Sequence, residues 1–207
     1  MNSQSIKGIG VTKSGDVDVL TEVTVPKPQL APEDILVQIK GVALNPVDYK
    51  VRAGMLNNAT EENPKILGYD GSGVVVELGS NVKGFKVGDE VFYAGNAVRN
   101  GTLADYHAVD YRIVGKKPTK ISHAEAASVP LVWITAYEAL VDNVGISTDP
   151  KKNEGKTLLI VAGAGGVGSV AIQLAKKVLG LKVIATASRP ETIEFVKKMG
   201  ADVVVNH

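Results

Sequence analysis

LLIVAGAGGVGSVAIQLAKK, residues 158–177, decides how this chain folds. No residue from Thr157 to Ala175 is charged, and the run is almost long enough to span a bilayer, so a membrane helix is the first reading to test. The glycines in its middle argue against one. Ahead of them residues 158–161 make a short apolar strand; behind them Val167, Ile172, Leu174 and Val178 recur at roughly helical spacing. The helix stops at Gly180, and a second strand follows over residues 182–187. Strand, glycine turn, helix, strand is the reading these residues support.

The glycines fall as GxGxxG at Gly163, Gly165 and Gly168. In a strand-to-helix turn the first permits the tight turn, the second lets the backbone approach a pyrophosphate, and the third allows close packing of helix on strand. Free N–H groups at the helix start, around Gly166 and Val167, then face the anion. A glycine-rich loop without ligand would not need the flanking strand and helix, so a dinucleotide site is expected. An NAD site places an acidic residue about 20 positions beyond the motif, on the ribose. Here the second strand runs instead into ATASRPET, with Ser188 and Arg189 ahead of the first acid, Glu191. The guanidinium of Arg189 is a planar, permanently charged fork suited to a phosphate, and Ser188 adds a hydroxyl. NADPH is the expected cofactor. The same residues also spell a capping box, Ser188 with Glu191, and the two readings are compatible.

Composition narrows the rest. The chain has 207 residues, 23 basic and 22 acidic, with no block of like charge, so nothing suggests a nucleic-acid or membrane surface. It has no cysteine, which excludes disulfides and thiolate metal sites. The start, MNSQSIKGIG, lacks the apolar core of a signal peptide, and a soluble cytoplasmic protein is expected.

Two textures divide the chain. Over residues 1–121, short alternating runs such as DVDVLTEVTV, DILVQIKGVAL and GDEVFYAG are broken by glycine, proline and asparagine, the texture of a mostly antiparallel β domain. From Ser122 it changes: Ser122 and Glu125 make a capping box before a helical stretch that Pro130 interrupts and Gly145 ends. Residues 122–207 then alternate strand (157–161), helix (166–179), strand (182–187), helix (190–199) and strand (202–206). The fold class is α/β, the second part being half of a doubly wound parallel sheet.

This order resembles the medium-chain dehydrogenase/reductase superfamily, in which a GroES-like catalytic domain precedes a Rossmann domain. The match rests on NPVDYKVRAG (45–54), ILGYDGSGVVVELGSNVKGFKVGDEVFYAG (66–95), GTLADYHAVD (101–110), AEAASVPLVWITAYEAL (124–140) and the nucleotide motif. A complete dinucleotide fold has about six strands. Only three are expected here, so the chain is expected to be part of a longer enzyme, and the resemblance is taken to imply a homodimer for that protein.

Zinc members of the superfamily hold a catalytic metal with a cysteine, a histidine, and a further cysteine or acid. This chain departs from that pattern throughout. Asn45 to Asp48 stand in the first ligand's region, Tyr69 replaces the histidine, and the third ligand falls near Leu131. Asp48 and Asp70 remain as oxygen donors, but two carboxylates without histidine are more often hydrogen-bonded structural groups. His107, His123 and His207 are scattered. No metal site is expected, and the resemblance narrows to the zinc-free quinone oxidoreductase branch.

Without a Lewis acid an alkoxide is poorly stabilised, whereas hydride addition β to a carbonyl gives an enolate that hydrogen-bond donors can hold. The expected substrates are quinones or α,β-unsaturated carbonyls. In similar enzymes the segment at 45–49 borders the nicotinamide pocket, so Asn45 and Tyr49 are candidates to position or protonate substrate, with Asp48 orienting the segment. Tyr49 is equally well read as a packing aromatic. Tyr69 and Trp133 are candidate pocket residues, with core packing the better expectation for Trp133. Two other readings stand beside this one: a non-catalytic NADPH-binding structural or RNA-binding protein, and a zinc-type alcohol dehydrogenase.

Overall fold

The computed structural model describes residues 5–55 and 58–206, and His207 lies outside them. The chain forms two compact units that divide between Leu131 and Val132. Ten strands and helices of the first unit run in the order β1 (Ser5–Val11), β2 (Thr21–Pro26), β3 (Asp34–Ala43), α1 (Pro46–Ala53), β4 (Lys65–Ile66), β5 (Asp70–Leu78), β6 (Glu90–Ala94), β7 (Tyr106–Asp110), β8 (Gly115–Lys116) and α2 (His123–Ala127). They build one sheet of order β2-β1-β4 and another of order β7-β3-β5-β6-β8. Each strand pairing within these two sheets is antiparallel, as the alternating texture implies.

The period-two pattern explains the core of the larger sheet. Ile35 and Val37 on β3 meet Val75, Val91, Tyr93 and Val109 from its neighbours, all buried. Each such side chain contributes roughly 1.5–3 kcal/mol by leaving water. Beside this core lie two satisfied polar groups. Asp34, at the start of β3, takes both forks of the Arg99 guanidinium at 2.9 and 2.7 Å, and these bonds hold its carboxyl below the usual carboxylate range. His107 shares a hydrogen bond with the Tyr93 hydroxyl through Nδ1 at 2.9 Å and meets the Asn100 carbonyl through Nε2 at 2.9 Å. Burial pushes its imidazole down to about 4, so it is neutral.

Helix α2 belongs to the first unit although the texture changes at Ser122. Its capping box forms as expected, Ser122 Oγ accepting from the Glu125 N–H at 3.2 Å and Glu125 accepting from the Ser122 N–H at 2.8 Å. It lies against β3 at Gly41, where a Cβ would stand 2.6 Å from the His123 carbonyl oxygen, so only glycine admits the approach. His123 Nδ1 also meets Ser72 Oγ on β5 at 2.8 Å, and its Nε2 stands 3.3 Å from Glu90.

In the second unit α3 (Pro130–Tyr137) crosses the division and ends in a wide turn, Glu138–Asn143. Then follow β9 (Thr157–Ile160), α4 (Gly166–Gln173), its wide last turn Leu174–Val178, β10 (Lys182–Thr186), α5 (Pro190–Met199) and β11 (Val203–Val205). The three strands are parallel, in the order β11-β10-β9. That is the first half of a Rossmann sheet. Its core gathers Ile160, Ile172, Leu174, Leu179, Val183, Ala185 and Val196.

Two expectations fail here. Trp133 is 39% exposed rather than in the core: it lies with Ile134 and Thr135 in an exposed stretch between the buried Pro130 and Ala136. The cap of α5 is Arg189 rather than Ser188: the Arg189 N–H donates to Thr192 Oγ at 3.2 Å, and Glu191 makes no cap. Pro190 is the reason, since its fixed φ and missing N–H suit the first helical position and set the cap one residue before it. Among the described residues no helix is long and apolar enough to cross a membrane.

Candidate functional site

Two groups of residues carry chemistry, one in each unit. In the first unit, Asn45 ends the segment after β3 and caps α1, whose first helical residue is Pro46. Its backbone N–H donates to Asp48 Oδ2 at 2.7 Å, so Asp48 fixes the turn on which it sits. Its amide nitrogen donates to Asp70 Oδ2 at 2.9 Å and leans on the Ala43 carbonyl at 3.5 Å. The other oxygen of Asp70 accepts from the Leu131 N–H at 3.0 Å. Asn45, Asp48, Asp70 and Leu131 thus meet.

Asp70 is 1% exposed, and burial pushes its carboxyl up to about 6 against the pull of its two donors, with Asp48 adding like-charge repulsion. Burial likewise raises the Asp48 carboxyl. The donor chemistry does not fit zinc. A tetrahedral site wants nitrogen, thiolate or carboxylate donors converging on one point, and here a carboxylamide, a backbone N–H and two carboxylates have turned to one another. No group of three metal-binding side chains exists among the described residues. His107 and His123 are engaged elsewhere, and Tyr69 is half-buried with its carbonyl accepting from the Gly95 N–H at 2.7 Å.

Tyr49 lies one turn into α1 and is 54% exposed. It does not join the hydrogen-bonded cluster. Asn45 does: its amide nitrogen is turned to Asp70 and the Ala43 carbonyl, and its oxygen faces the Asp48 N–H in the capping box of α1.

In the second unit the glycine turn is built as the motif requires. Gly163 packs against Ala185, Ile172 and Val196, where a Cβ would come within 2.9, 3.2 and 3.2 Å. Gly168 lies against the turn itself, with the Ala162 carbonyl oxygen 2.5 Å from a Cβ position. Gly165 differs: only that same oxygen, at 3.3 Å, comes near, so its outer side is open. Gly165 caps α4, and Ser169 N–H to the Gly165 carbonyl at 2.9 Å is the first bond of the helix. The N–H groups of Gly166, Val167 and Gly168 precede that bond and are the ones a helix start offers to an anion.

A residue that sequence reasoning missed holds this turn. Thr186, at the end of β10, is buried; its hydroxyl accepts from the Ala162 N–H at 2.9 Å and its carbonyl from the Gly163 N–H at 3.1 Å. Ala162 has φ +54°, a left-handed conformation that costs a non-glycine residue roughly 1–3 kcal/mol and persists only under such restraint. Beyond the buried Ala187, Ser188 and Arg189 are exposed. Arg189 Nε pairs with Glu191 at 3.1 Å, with side-chain exposures of 73% and 68%, a weak surface contact that a phosphate can displace.

An antiparallel β unit followed by a parallel unit opening on a glycine turn is the architecture of a GroES-like domain ahead of the first half of a Rossmann domain. Residues 31–119 match the alcohol dehydrogenase GroES-like domain, and residues 166–207 match the zinc-binding dehydrogenase family. The chain belongs to the medium-chain dehydrogenase/reductase superfamily. It is 50% identical over 181 residues to a zinc-type alcohol dehydrogenase-like protein of Staphylococcus aureus, covering 87% of this chain and 53% of that protein. An NADPH-dependent alkenal/one oxidoreductase of Arabidopsis thaliana is 39% identical over 200 residues, covering 93% of this chain and 50% of that one. The quinone oxidoreductase of Coxiella burnetii superposes with a TM-score of 0.84 at 35% identity, over 98% of this chain and 62% of that structure. The chain spans about half the length of the curated relatives it matches.

Proposed function

We propose that the chain belongs to an NADPH-dependent oxidoreductase that reduces quinones or α,β-unsaturated carbonyls without a metal, its first 121 residues forming the catalytic domain and residues 122–207 the start of the NADP-binding domain. The observation that carries this reading is the donor set. Asp70, the one fully buried carboxylate where zinc relatives hold their metal, is already satisfied by Asn45 and Leu131. The named activities of the Arabidopsis and Coxiella relatives point the same way.

When bound, the nicotinamide supplies a hydride. The chain's own residues do the rest. Gly165 leaves room for the pyrophosphate, the N–H groups of Gly166, Val167 and Gly168 face its charge, Gly163 and Gly168 keep the helix close, and Arg189 with Ser188 takes the additional phosphate. Hydride arriving at the carbon β to a carbonyl drives charge onto the carbonyl oxygen, and a hydrogen-bond donor stabilises it there. Tyr49 is the exposed donor of its segment. Asn45 and Asp48 position that segment, since the Asn45 amide nitrogen is turned to Asp70 and Asp48 holds the Asn45 N–H.

The test compares NADPH oxidation by a quinone, a short enone and a saturated aldehyde, using the protein at its full encoded length. Quinone or enone should turn over fastest. Tyr49→Phe should lower enone turnover more than it changes cofactor affinity. A saturated aldehyde as best substrate would make the reaction class wrong, and tight NADPH binding with no turnover on any of the three would favour a non-catalytic role.

A further inference from the structure

In zinc dehydrogenases of this superfamily a metal ties together three separate segments. In this chain the same three segments are tied without one. The loop entering α1 contributes the Asn45 amide, the first residue of β5 contributes the Asp70 carboxylate, and the start of α3 contributes the Leu131 N–H. The two bonds span 25 and 61 residues of sequence, at 2.9 and 3.0 Å. Asp70 accepts both, one on each oxygen, and is buried.

We propose that this Asn45–Asp70–Leu131 clasp does the positional work of the missing metal, and that Asp70 is a positioning residue which dictates how the Asn45 amide is turned. A carboxylate has only acceptor oxygens, so the group facing it must be a donor. Asp70 therefore draws Nδ2 inward, and the Ala43 carbonyl takes the second hydrogen. Oδ1, which faces the Asp48 N–H in the capping box of α1, is the end of the amide with a lone pair left for a ligand. The site thus offers an acceptor at Asn45, and the ligand group facing it is a donor: an amide N–H, or the hydroxyl of a quinol or enol product. This rests on the enone and quinone reading only for the identity of that ligand; the clasp itself is a property of the chain.

The hydrogen-bond polarity supplies the test. Asp70→Asn presents one acceptor and one donor where two acceptors stood, so one of the two contacts becomes donor against donor. Adding Asn45→Asp restores a complete pattern: the new amide at 70 donates to the carboxylate at 45 and accepts from Leu131. In the unmodified chain, labelled with nitrogen-15 and carbon-13, scalar couplings across the hydrogen bonds are expected from Asn45 Nδ2 and from the Leu131 nitrogen to Asp70 Cγ. Amide exchange at Leu131 should speed up roughly tenfold or more in Asp70→Asn and return toward the unmodified rate in the double variant. The amides of Ile35 and Val75, in the sheet core, report whether each variant stays folded. Absence of both couplings, or a folded double variant no better protected at Leu131 than the single one, would overturn the proposal. If the variants do not fold, the couplings in the unmodified chain decide it. None of these readouts uses turnover, so an intact clasp in a protein inactive on enones would refute the activity alone.

Discussion

Gly165 and Gly168 lie three residues apart in one turn, and replacing each by alanine separates ligand approach from packing. At Gly168 the added methyl would stand 2.5 Å from the Ala162 carbonyl oxygen and 2.9 Å from Gly163 Cα. Both are backbone atoms that cannot step aside, so the start of α4 must lift from the turn. Overpacking of this kind costs about 1–3 kcal/mol, and the better helix propensity of alanine returns at most about 1 kcal/mol. A net loss of about 1–2 kcal/mol lowers Tm by roughly 2–8 °C in a chain of this size. At Gly165 the backbone has φ −73° and ψ 169°, open to any residue, and the nearest atom to a Cβ is 3.3 Å away. Alanine is a poorer cap than glycine and the Ala162 carbonyl must give by a few tenths of an ångström, so stability should fall by about 0.5–1 kcal/mol, less than at Gly168. The methyl would instead occupy the space through which a pyrophosphate reaches the turn, and NADPH affinity should fall about tenfold or more, at least about 1.4 kcal/mol. Thermal melting by circular dichroism and NADPH titration by fluorescence measure the two effects independently. Gly165→Ala melting as low as Gly168→Ala, or binding NADPH as tightly as the unmodified protein, would refute the division of labour.

Thr186→Val keeps the shape of a buried side chain but leaves the Ala162 N–H without its acceptor, so it should cost about 1–3 kcal/mol in denaturant unfolding and weaken NADPH binding with it. Arg189→Ala should weaken NADPH roughly tenfold to a hundredfold, the worth of a charge-assisted contact, while leaving NADH nearly unchanged; equal losses for both would move Arg189 away from the additional phosphate. His107 and Asp70 set opposing pH dependences. With His107 at about 4 in the fold and 6.5 outside it, the unfolded chain binds the proton first, so stability falls by up to about 3 kcal/mol as pH drops through that window. With Asp70 at about 6 in the fold and 3.8 outside it, the folded chain binds first, and stability rises by up to about 3 kcal/mol as pH drops from 6 to 3.8. Urea midpoints should therefore fall more steeply with acid in Asp70→Asn than in the unmodified protein; parallel slopes would contradict the assignment.

The nucleotide half was legible almost to the residue. The expected strand at 157–161 is Thr157–Ile160, the helix at 190–199 is Pro190–Met199, and the strand at 202–206 is Val203–Val205. These elements follow from short-range rules: apolar runs, glycine at the turn and helix ends, proline at a first helical position. Where a short-range rule was passed over, at Pro190, the cap was misplaced by one residue. The period of α3 aligns Trp133 with Ala136 and Leu140, but periodicity says which side chains share a face and not how much of that face a neighbour covers, so Trp133 was misjudged.

Of the first unit's site, the sequence alone determined residue types. It has no cysteine, a tyrosine where zinc relatives carry histidine, and Asp48 and Asp70 as the remaining oxygen donors, which is enough to argue against zinc. Only the tertiary structure decided what those residues do instead. Asn45, Asp70 and Leu131 meet across 25 and 61 residues, and Thr186 reaches Ala162 across 24. No local rule pairs them, because a hydrogen bond at such separation depends on how strands and helices are stacked. The direction in which the Asn45 amide faces was set likewise, by a buried carboxylate able only to accept.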